Sequence, residues 1–210
     1  MIVLIVIIAS LAMGIFLFMQ LPVFGKHPEG EELARIEQSA NYKNGAFQNV
    51  LPTEVMLKES STLKVMRDML NKPTTVEPAN PLPGVKTDLK TLVADKPTIV
   101  WFGHSSYLIK FKAFTVLVDP VMSGYASPIG IFGKAFPGAD IYGVDDLPPI
   151  DLLLITHDHY DHLDYATLLK LHPSVKKIVT ALGVDAHLKH WGVPAEKITS
   201  LDWWETHKMN

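Results

Sequence analysis

Three histidines and two aspartates lie within six consecutive positions of this chain, 157–162. They follow directly after the apolar segment 150–155, which has the composition of a buried strand. Imidazole and carboxylate groups are the ligands that suit zinc and similar divalent metals. The segment 156–162 therefore predicts most of a metal site. The alternative interpretation is a polar loop that is rich in histidine by chance.

The order of donors within the segment predicts two metals. Alternate residues of an extended segment point the same way, so His157 and His159 are expected to hold one metal. Asp161 and His162 lie where the chain turns toward a helix and are expected to face a second metal, with Asp158 and Tyr160 as lining groups. A water held between two metals about 3.5–4 Å apart would have its pKa lowered toward neutrality, which suits attack on a phosphoryl or carbonyl centre.

Composition narrows the classes of function. With 210 residues the chain has room for one domain and an extension. Its net charge is −3, whereas a nucleic-acid-binding domain normally carries a basic patch, so no nucleic-acid partner is expected. The chain has no cysteine, which leaves histidine, carboxylate, carbonyl and water as metal ligands.

Residues 1–24 form an apolar segment that predicts a membrane anchor. Within residues 2–19 only Ser10 and Gly14 interrupt the apolar run, and about twenty apolar residues are enough to cross a bilayer. No Lys or Arg precedes the run and the residues after it make a poor cleavage site, which favours an uncleaved anchor over a signal peptide. A buried core helix is a further alternative. We expect a single-pass protein of the bacterial cell envelope that contacts the membrane through residues 2–24, with the facing side undetermined.

The rest of the chain divides at about residue 96. Residues 25–95 are expected to form an extension with short helices at 31–37 and 62–70 and without chemistry of its own. From residue 96 onward, three short hairpin-like strands precede an alternation of strands and helices. The strands are expected at 98–102, 107–111, 114–118, 151–156, 177–181 and 197–201, and the helices near 165–171 and 184–191. This order predicts an α/β (α+β) domain in which helices cover a mixed sheet.

Segment 157–162 also matches the His-x-His-x-Asp-His signature of metallo-β-lactamase-fold hydrolases. Segments 101–109 and 118–121, with Ser127-Pro128, resemble the branch that contains N-acyl-phosphatidylethanolamine-hydrolysing phospholipase D and the ascorbate-phosphate lactonases. Segment 202–205 (Asp-Trp-Trp-Glu) resembles the phospholipase D side of that branch. The resemblance covers about residues 80–210. It implies a four-layer αββα sandwich, a dinuclear zinc centre and hydrolysis of lipid phosphodiesters.

The resemblance also assigns roles to individual residues. It implies that His157 and His159 are ligands of a first zinc and that Asp161 and His162 are ligands of a second. Asp161 is in addition a candidate for orienting the attacking water. His104 is expected near the site in a supporting role, and the alternative is a histidine that satisfies backbone groups in a tight turn.

In the family, further ligands come from the second half of the domain. Residues 96–210 are therefore expected to be the N-terminal half of the sandwich, apparently truncated, with one sheet face exposed. The chain alone is expected to bind zinc weakly and to turn over no phosphodiester. The alternatives are a non-catalytic membrane-anchored remnant or interaction partner, a lactonase-type hydrolase, and a homo-oligomer or separate chain that completes the site.

Four further features carry open interpretations. Asp119 is expected either to orient the metal loop or to form a turn. Trp203 and Trp204 are expected to pack in the core or to cover an edge, and contact with lipid is the alternative. The loop 122–137 is expected either to wall a substrate groove or to cover the surface. His187 and His190 are expected on a solvated helix face, and chelation of a metal by this i, i+3 pair is the alternative.

Overall fold

A six-stranded mixed sheet forms the centre of the structure, a computed structural model that describes residues 1–54, 60–130 and 132–209. Its strands are β3 (Thr98–Gly103), β4 (Ser106–Phe111), β5 (Phe114–Val118), β6 (Ile150–Ile155), β7 (Val175–Ala181) and β8 (Ile198–Leu201). They lie side by side in chain order. The pairs β3–β4 and β4–β5 are antiparallel, whereas β5–β6, β6–β7 and β7–β8 are parallel.

One face of this sheet is covered by helices α4 (Tyr165–Leu171) and α5 (Asp185–His190). Leu153 and Ile178 of the central strands lie in one core cluster with Leu168 of α4 and Leu188 of α5. The connections β6–β7 and β7–β8 each contain one of these helices, as is usual between parallel strands. The predicted α/β class, with helices on a mixed sheet, is confirmed.

The opposite face of the sheet is apolar and only partly covered by the residues that the structure describes. Ile99 is 64% exposed and Trp101 is 68% exposed on the edge strand β3. Leu152 and Leu154 of β6 are partly buried. The exposed apolar face that the sequence predicted is therefore present on β3.

The first helix, α1 (Ile2–Met19), is apolar on every side. Its mean hydropathy is 3.0 and none of its residues is buried. In length and composition it is able to cross a membrane, although a signal sequence near the N-terminus would have the same properties.

The extension contains more structure than the sequence predicted. Helices α2 (Glu31–Glu37) and α3 (Thr62–Leu70) lie at the predicted positions. Between them, β1 (Tyr42–Lys43) and β2 (Ala46–Phe47) form a hairpin that was not predicted. Its two-residue strands are too short to show periodicity, but the turn residues Asn44 and Gly45 both have positive φ, as the Asn-Gly pair favours.

The extension packs against the domain on two sides. Leu89 is buried in the core cluster, and Ile36 of α2 is buried beside Gly183. Arg35 donates through its guanidinium to the Ser200 side chain and carbonyl, at 3.0 and 2.9 Å.

The tryptophans near the end of the chain are not core residues. Trp204 is 89% exposed, so the expectation that it packs in the core or covers an edge is wrong. Trp203 is half-exposed and contacts Phe47 of the unpredicted hairpin edge-on, with ring centroids 5.4 Å apart.

Candidate metal centre

The predicted donors lie at the carboxyl end of β6, next to the carboxyl end of the neighbouring parallel strand β5. The metal loop, Thr156–His162, follows β6, and Asp119 follows β5. His104 lies close by, in the tight turn between β3 and β4. Ligands and reacting groups collect at this edge of open α/β sheets because adjacent parallel strands end there together.

Asp119 is buried and holds the metal loop in place through hydrogen bonds. Its side chain is 1% exposed and its φ of 41° is unusual for a residue other than glycine. One carboxylate oxygen accepts from the Thr156 backbone N–H at 2.8 Å. The other accepts from the Thr156 hydroxyl at 2.7 Å and lies 2.8 Å from His162 Nδ1. Of the two interpretations of Asp119 drawn from the sequence, the structure supports the one in which it orients the loop.

The contact with Asp119 selects the tautomer of His162. A carboxylate accepts hydrogen bonds, so the network assigns the ring proton to Nδ1. The other ring nitrogen, Nε2, then carries no proton, and its electron pair is directed toward Asp161 and His104, where it can bind a metal. A carboxylate behind a histidine is the usual support for a metal-ligating imidazole.

His104, Asp161 and His162 converge at one point. His104 Nε2 lies 3.0 Å from Asp161 Oδ2 and 3.3 Å from His162 Nε2. His162 Nε2 lies 3.8 Å from the same Asp161 oxygen. One atom from each of the three residues falls within 4.8 Å of the others, which is the spacing of ligands around an ion. The structure thus places His104 beside the predicted pair as a third donor.

His157 and His159 form the neighbouring pair. His157 Nε2 lies 3.2 Å from His159 Nδ1, and the His157 ring centroid lies 3.9 Å from that of His162. Burial, followed by the neighbouring His162 and His159, lowers the pKa of His157, while Asp119 and Asp161 oppose that effect. The neutral imidazole favoured in this way is the form that binds a metal. All four predicted ligands therefore lie together. His157 and His159 form a pair, and Asp161 and His162 lie beside it in a cluster that also contains His104.

Asp158 and Tyr160 point away from the donors, as the alternation predicted. The Tyr160 hydroxyl donates to the Val23 carbonyl at 2.9 Å. The Asp158 carboxylate lies 3.7 Å from His187 Nε2, a distance too long for a hydrogen bond but short enough for electrostatic attraction. The His187 imidazole lowers the pKa of Asp158, against the opposing effect of burial. The expectation that His187 lies on a solvated helix face is wrong, because its side chain is only 12% exposed and packs against the N-terminal segment.

Two largely apolar cavities flank the donors. One, of about 460 Å³, lies beside His104 and Asp161 and is walled by Phe136 from the loop 122–137. The other, of about 770 Å³, lies beside His157 and Asp158 and is walled by the hairpin β1–β2, α2 and Trp203. The extension therefore lines a cavity at the site, although no chemistry was predicted for it.

Comparisons with known proteins agree with this geometry. Residues 115–210 match the beta-lactamase superfamily domain. An uncharacterized protein of Mycobacterium tuberculosis is 35% identical over 169 residues, which are 80% of this chain and 45% of that protein. The chain thus spans about half the length of this relative.

Two further relatives carry functional names. N-acyl-phosphatidylethanolamine-hydrolyzing phospholipase D 1 of Caenorhabditis elegans is 31% identical over 115 residues, which are 52% of this chain and 32% of that protein. A UPF0173 metal-dependent hydrolase of Saccharolobus solfataricus is 32% identical over 90 residues, which are 42% of this chain and 34% of that protein. Residues 115–210 thus resemble the beta-lactamase superfamily domain, and the named relatives support a metallo-β-lactamase fold for this part of the chain.

Proposed function

We propose that this chain provides the metal centre of a membrane-anchored, zinc-dependent hydrolase that acts on phosphodiesters of lipids. The observation that carries the proposal is the convergence of His104, Asp161 and His162, with His157 and His159 beside them. Asp119 behind the cluster gives it the support that metal-ligating histidines require.

The donor set fits a borderline divalent metal. It consists of imidazole nitrogens and a carboxylate oxygen, without thiolate. Such sets suit zinc, and they also suit iron and manganese, so the metal that is bound has to be measured. Asp161 and His104 are half-exposed, which leaves the donors accessible to an ion from solvent.

The residues of the cluster have separable roles in this proposal. His162 is held by Asp119 and presents Nε2, while His104 presents Nε2 from the turn between β3 and β4. Asp161 offers a carboxylate oxygen close to both, able both to bind a metal and to accept a proton from an attacking water. A bound divalent metal would supply Lewis acidity toward a phosphoryl oxygen.

Three observations support a lipid phosphodiester as the substrate. The cavity beside His104 and Asp161 has mainly apolar walls, which suit the hydrocarbon part of such a molecule. Helix α1 has the length and composition of a membrane anchor. The relative from Caenorhabditis elegans is named as a phospholipase D.

The metal centre is tested by counting bound metal on the chain purified in mild detergent. We expect zinc to bind to the unaltered chain and its affinity to fall at least about tenfold in His162→Ala and in His157→Ala. His190→Ala, which changes an exposed histidine on α5, is the matched control and should bind as the unaltered chain does. Equal binding in all four proteins would contradict the proposal. The same assay with iron and manganese identifies the preferred metal.

The reaction is tested separately with an N-acyl-phosphatidylethanolamine in mixed micelles. Release of the phosphatidic acid product, abolished in His162→Ala, would support the proposed reaction and overturn the expectation that this chain alone turns over no phosphodiester. Metal binding without turnover of any phosphodiester would agree with a half domain that lacks further ligands or with a non-catalytic interaction partner. Opening of a lactone in place of phosphodiester cleavage would favour a lactonase-type hydrolase.

A further inference from the structure

The segment that follows α1 is bonded to the metal loop. The Tyr160 hydroxyl of the loop donates to the Val23 carbonyl at 2.9 Å. His187, which faces Asp158 of the loop, accepts from the Lys26 backbone N–H at 3.1 Å. These contacts involve Tyr160 and Asp158, two side chains of the loop that are not predicted ligands.

A third bond secures the same segment to the domain. Trp191, at the end of α5, donates through its indole N–H to the Pro22 carbonyl at 2.7 Å. Phe24 packs edge-on against Phe18 of α1, with ring centroids 5.0 Å apart. We call residues 22–26 the latch, because they join α1 on one side and the metal loop on the other.

Glycine is required at the point where the latch lies against His187. Gly25 has a φ of 67° and lies against the ring of His187, where an added Cβ would be 2.0 Å from Nδ1. A side chain at this position would both strain the backbone and displace the imidazole. Gly30 has a similar φ of 57°, but an added Cβ would meet nothing within 4 Å.

We propose that the latch holds the metal loop in the conformation that brings its donors together, so that latch docking and metal binding strengthen each other. The proposal rests on the metal centre of the proposed function. Tyr160, Val23 and Lys26 act here as positioning residues, because they contact the loop or its neighbour and not the donor atoms. Coupling between two binding events is reciprocal, so each must tighten the other by the same factor.

The first test compares two glycine variants of the full chain in detergent. In Gly25→Ala the latch cannot dock against His187, and we expect zinc affinity to fall about three- to tenfold, the effect of one or two lost hydrogen bonds between neutral groups. Gly30→Ala carries the same backbone strain without the contact and should bind zinc as the unaltered chain does. Circular dichroism of both metal-free variants checks that the domain is folded.

The second test measures how zinc binding affects docking of the latch. Trypsin cleaves after Lys26 only when the latch is undocked, whereas Arg67 on the exposed helix α3 gives a reference site in the same molecule. We expect zinc to slow cleavage after Lys26 relative to cleavage after Arg67. The expected factor is about the same as the factor by which Gly25→Ala lowers zinc affinity. The ratio of the two sites corrects for any effect of zinc on the protease.

The outcomes separate the latch from the proposed function. Equal zinc affinities in Gly25→Ala and Gly30→Ala would overturn the latch proposal while leaving the metal centre intact. A cleavage ratio that zinc leaves unchanged would do the same. Failure of the unaltered chain to bind any metal would overturn both the metal centre and the coupling that depends on it.

Discussion

At the scale of single residues, Asp119 shows how a side chain outside the His-rich segment organises it. It is buried, and it holds both the start of the metal loop at Thr156 and the end of that loop at His162. A carboxylate in this position accepts hydrogen bonds only, and it therefore specifies which nitrogen of His162 is free.

Asp119→Asn is expected to weaken metal binding without unfolding the domain. The amide keeps the shape of the side chain but replaces one acceptor by a donor, which disfavours the tautomer of His162 that presents Nε2. Loss of such a supporting group costs about 10–100-fold in metal affinity. Zinc competition with a fluorescent chelator measures the change, and Asp68→Asn on the exposed helix α3 is the control. Unaltered affinity in Asp119→Asn would show that His162 does not depend on this contact.

At the scale of elements, the sheet is held in register near the start of β6 by one carboxylate. Asp151 of β6 accepts from the Thr115 backbone N–H of β5 at 2.8 Å and from Lys176 Nζ of β7 at 2.6 Å. Burial raises the pKa of Asp151, but the bonds from Lys176 and Thr115 outweigh it and hold the pKa below its ordinary value. The carboxylate thus joins the starts of β5, β6 and β7, and two of these strands, β5 and β6, carry Asp119 and the metal loop at their far ends.

The contribution of Asp151 to stability is expected to depend on pH. Because its pKa is lower in the folded state, the stabilisation is fully present above the ordinary value of 3.8 and is lost as the pH falls through the folded-state value. Asp151→Asn should lower the free energy of unfolding by about 1 kcal/mol at neutral pH, since Lys176 is mostly exposed. Denaturant titrations at neutral pH and at a pH well below 3.8 should show the difference from the unaltered chain shrinking at the lower pH. A difference that is the same at both pH values would contradict this assignment.

Elements also differ in how visible they are in the sequence. The strands and helices from β3 to β8 lie close to their predicted bounds because alternation and apolar composition are local properties. The hairpin β1–β2 was missed because two residues per strand carry no pattern. Its packing against Trp203 joins positions far apart in the chain, which only the folded structure brings together.

At the scale of the whole molecule, the latch connects helix α1 to the metal centre. Helix α1 ends at Met19, and the latch begins at Pro22 and contacts the metal loop. If α1 spans a bilayer, the donors are held close to the membrane surface, where lipid headgroups are found. This arrangement suits the substrate that we propose.

The membrane anchor is tested by vesicle flotation and by N-terminal sequencing of protein recovered from cells. We expect the chain to float with vesicles and to begin at Met1. A double variant, Ile8→Asp with Leu11→Lys, places two charges in the middle of α1, each costing about 3 kcal/mol in a bilayer, and should remain in the soluble fraction. A recovered N-terminus between about residues 20 and 27 would identify a cleaved signal sequence in place of an anchor.

The sequence by itself determined the class of the domain and the order of its strands and helices, and it predicted the candidate metal ligands within residues 157–162. These are local properties, because periodicity and the chemistry of neighbouring side chains are written along the chain. Only the tertiary structure decided that Asp119 braces His162, that His104 joins the donors, and that the segment after α1 contacts the metal loop. Each of these contacts joins residues tens of positions apart, and their distances depend on how the parallel strands and the extension pack together.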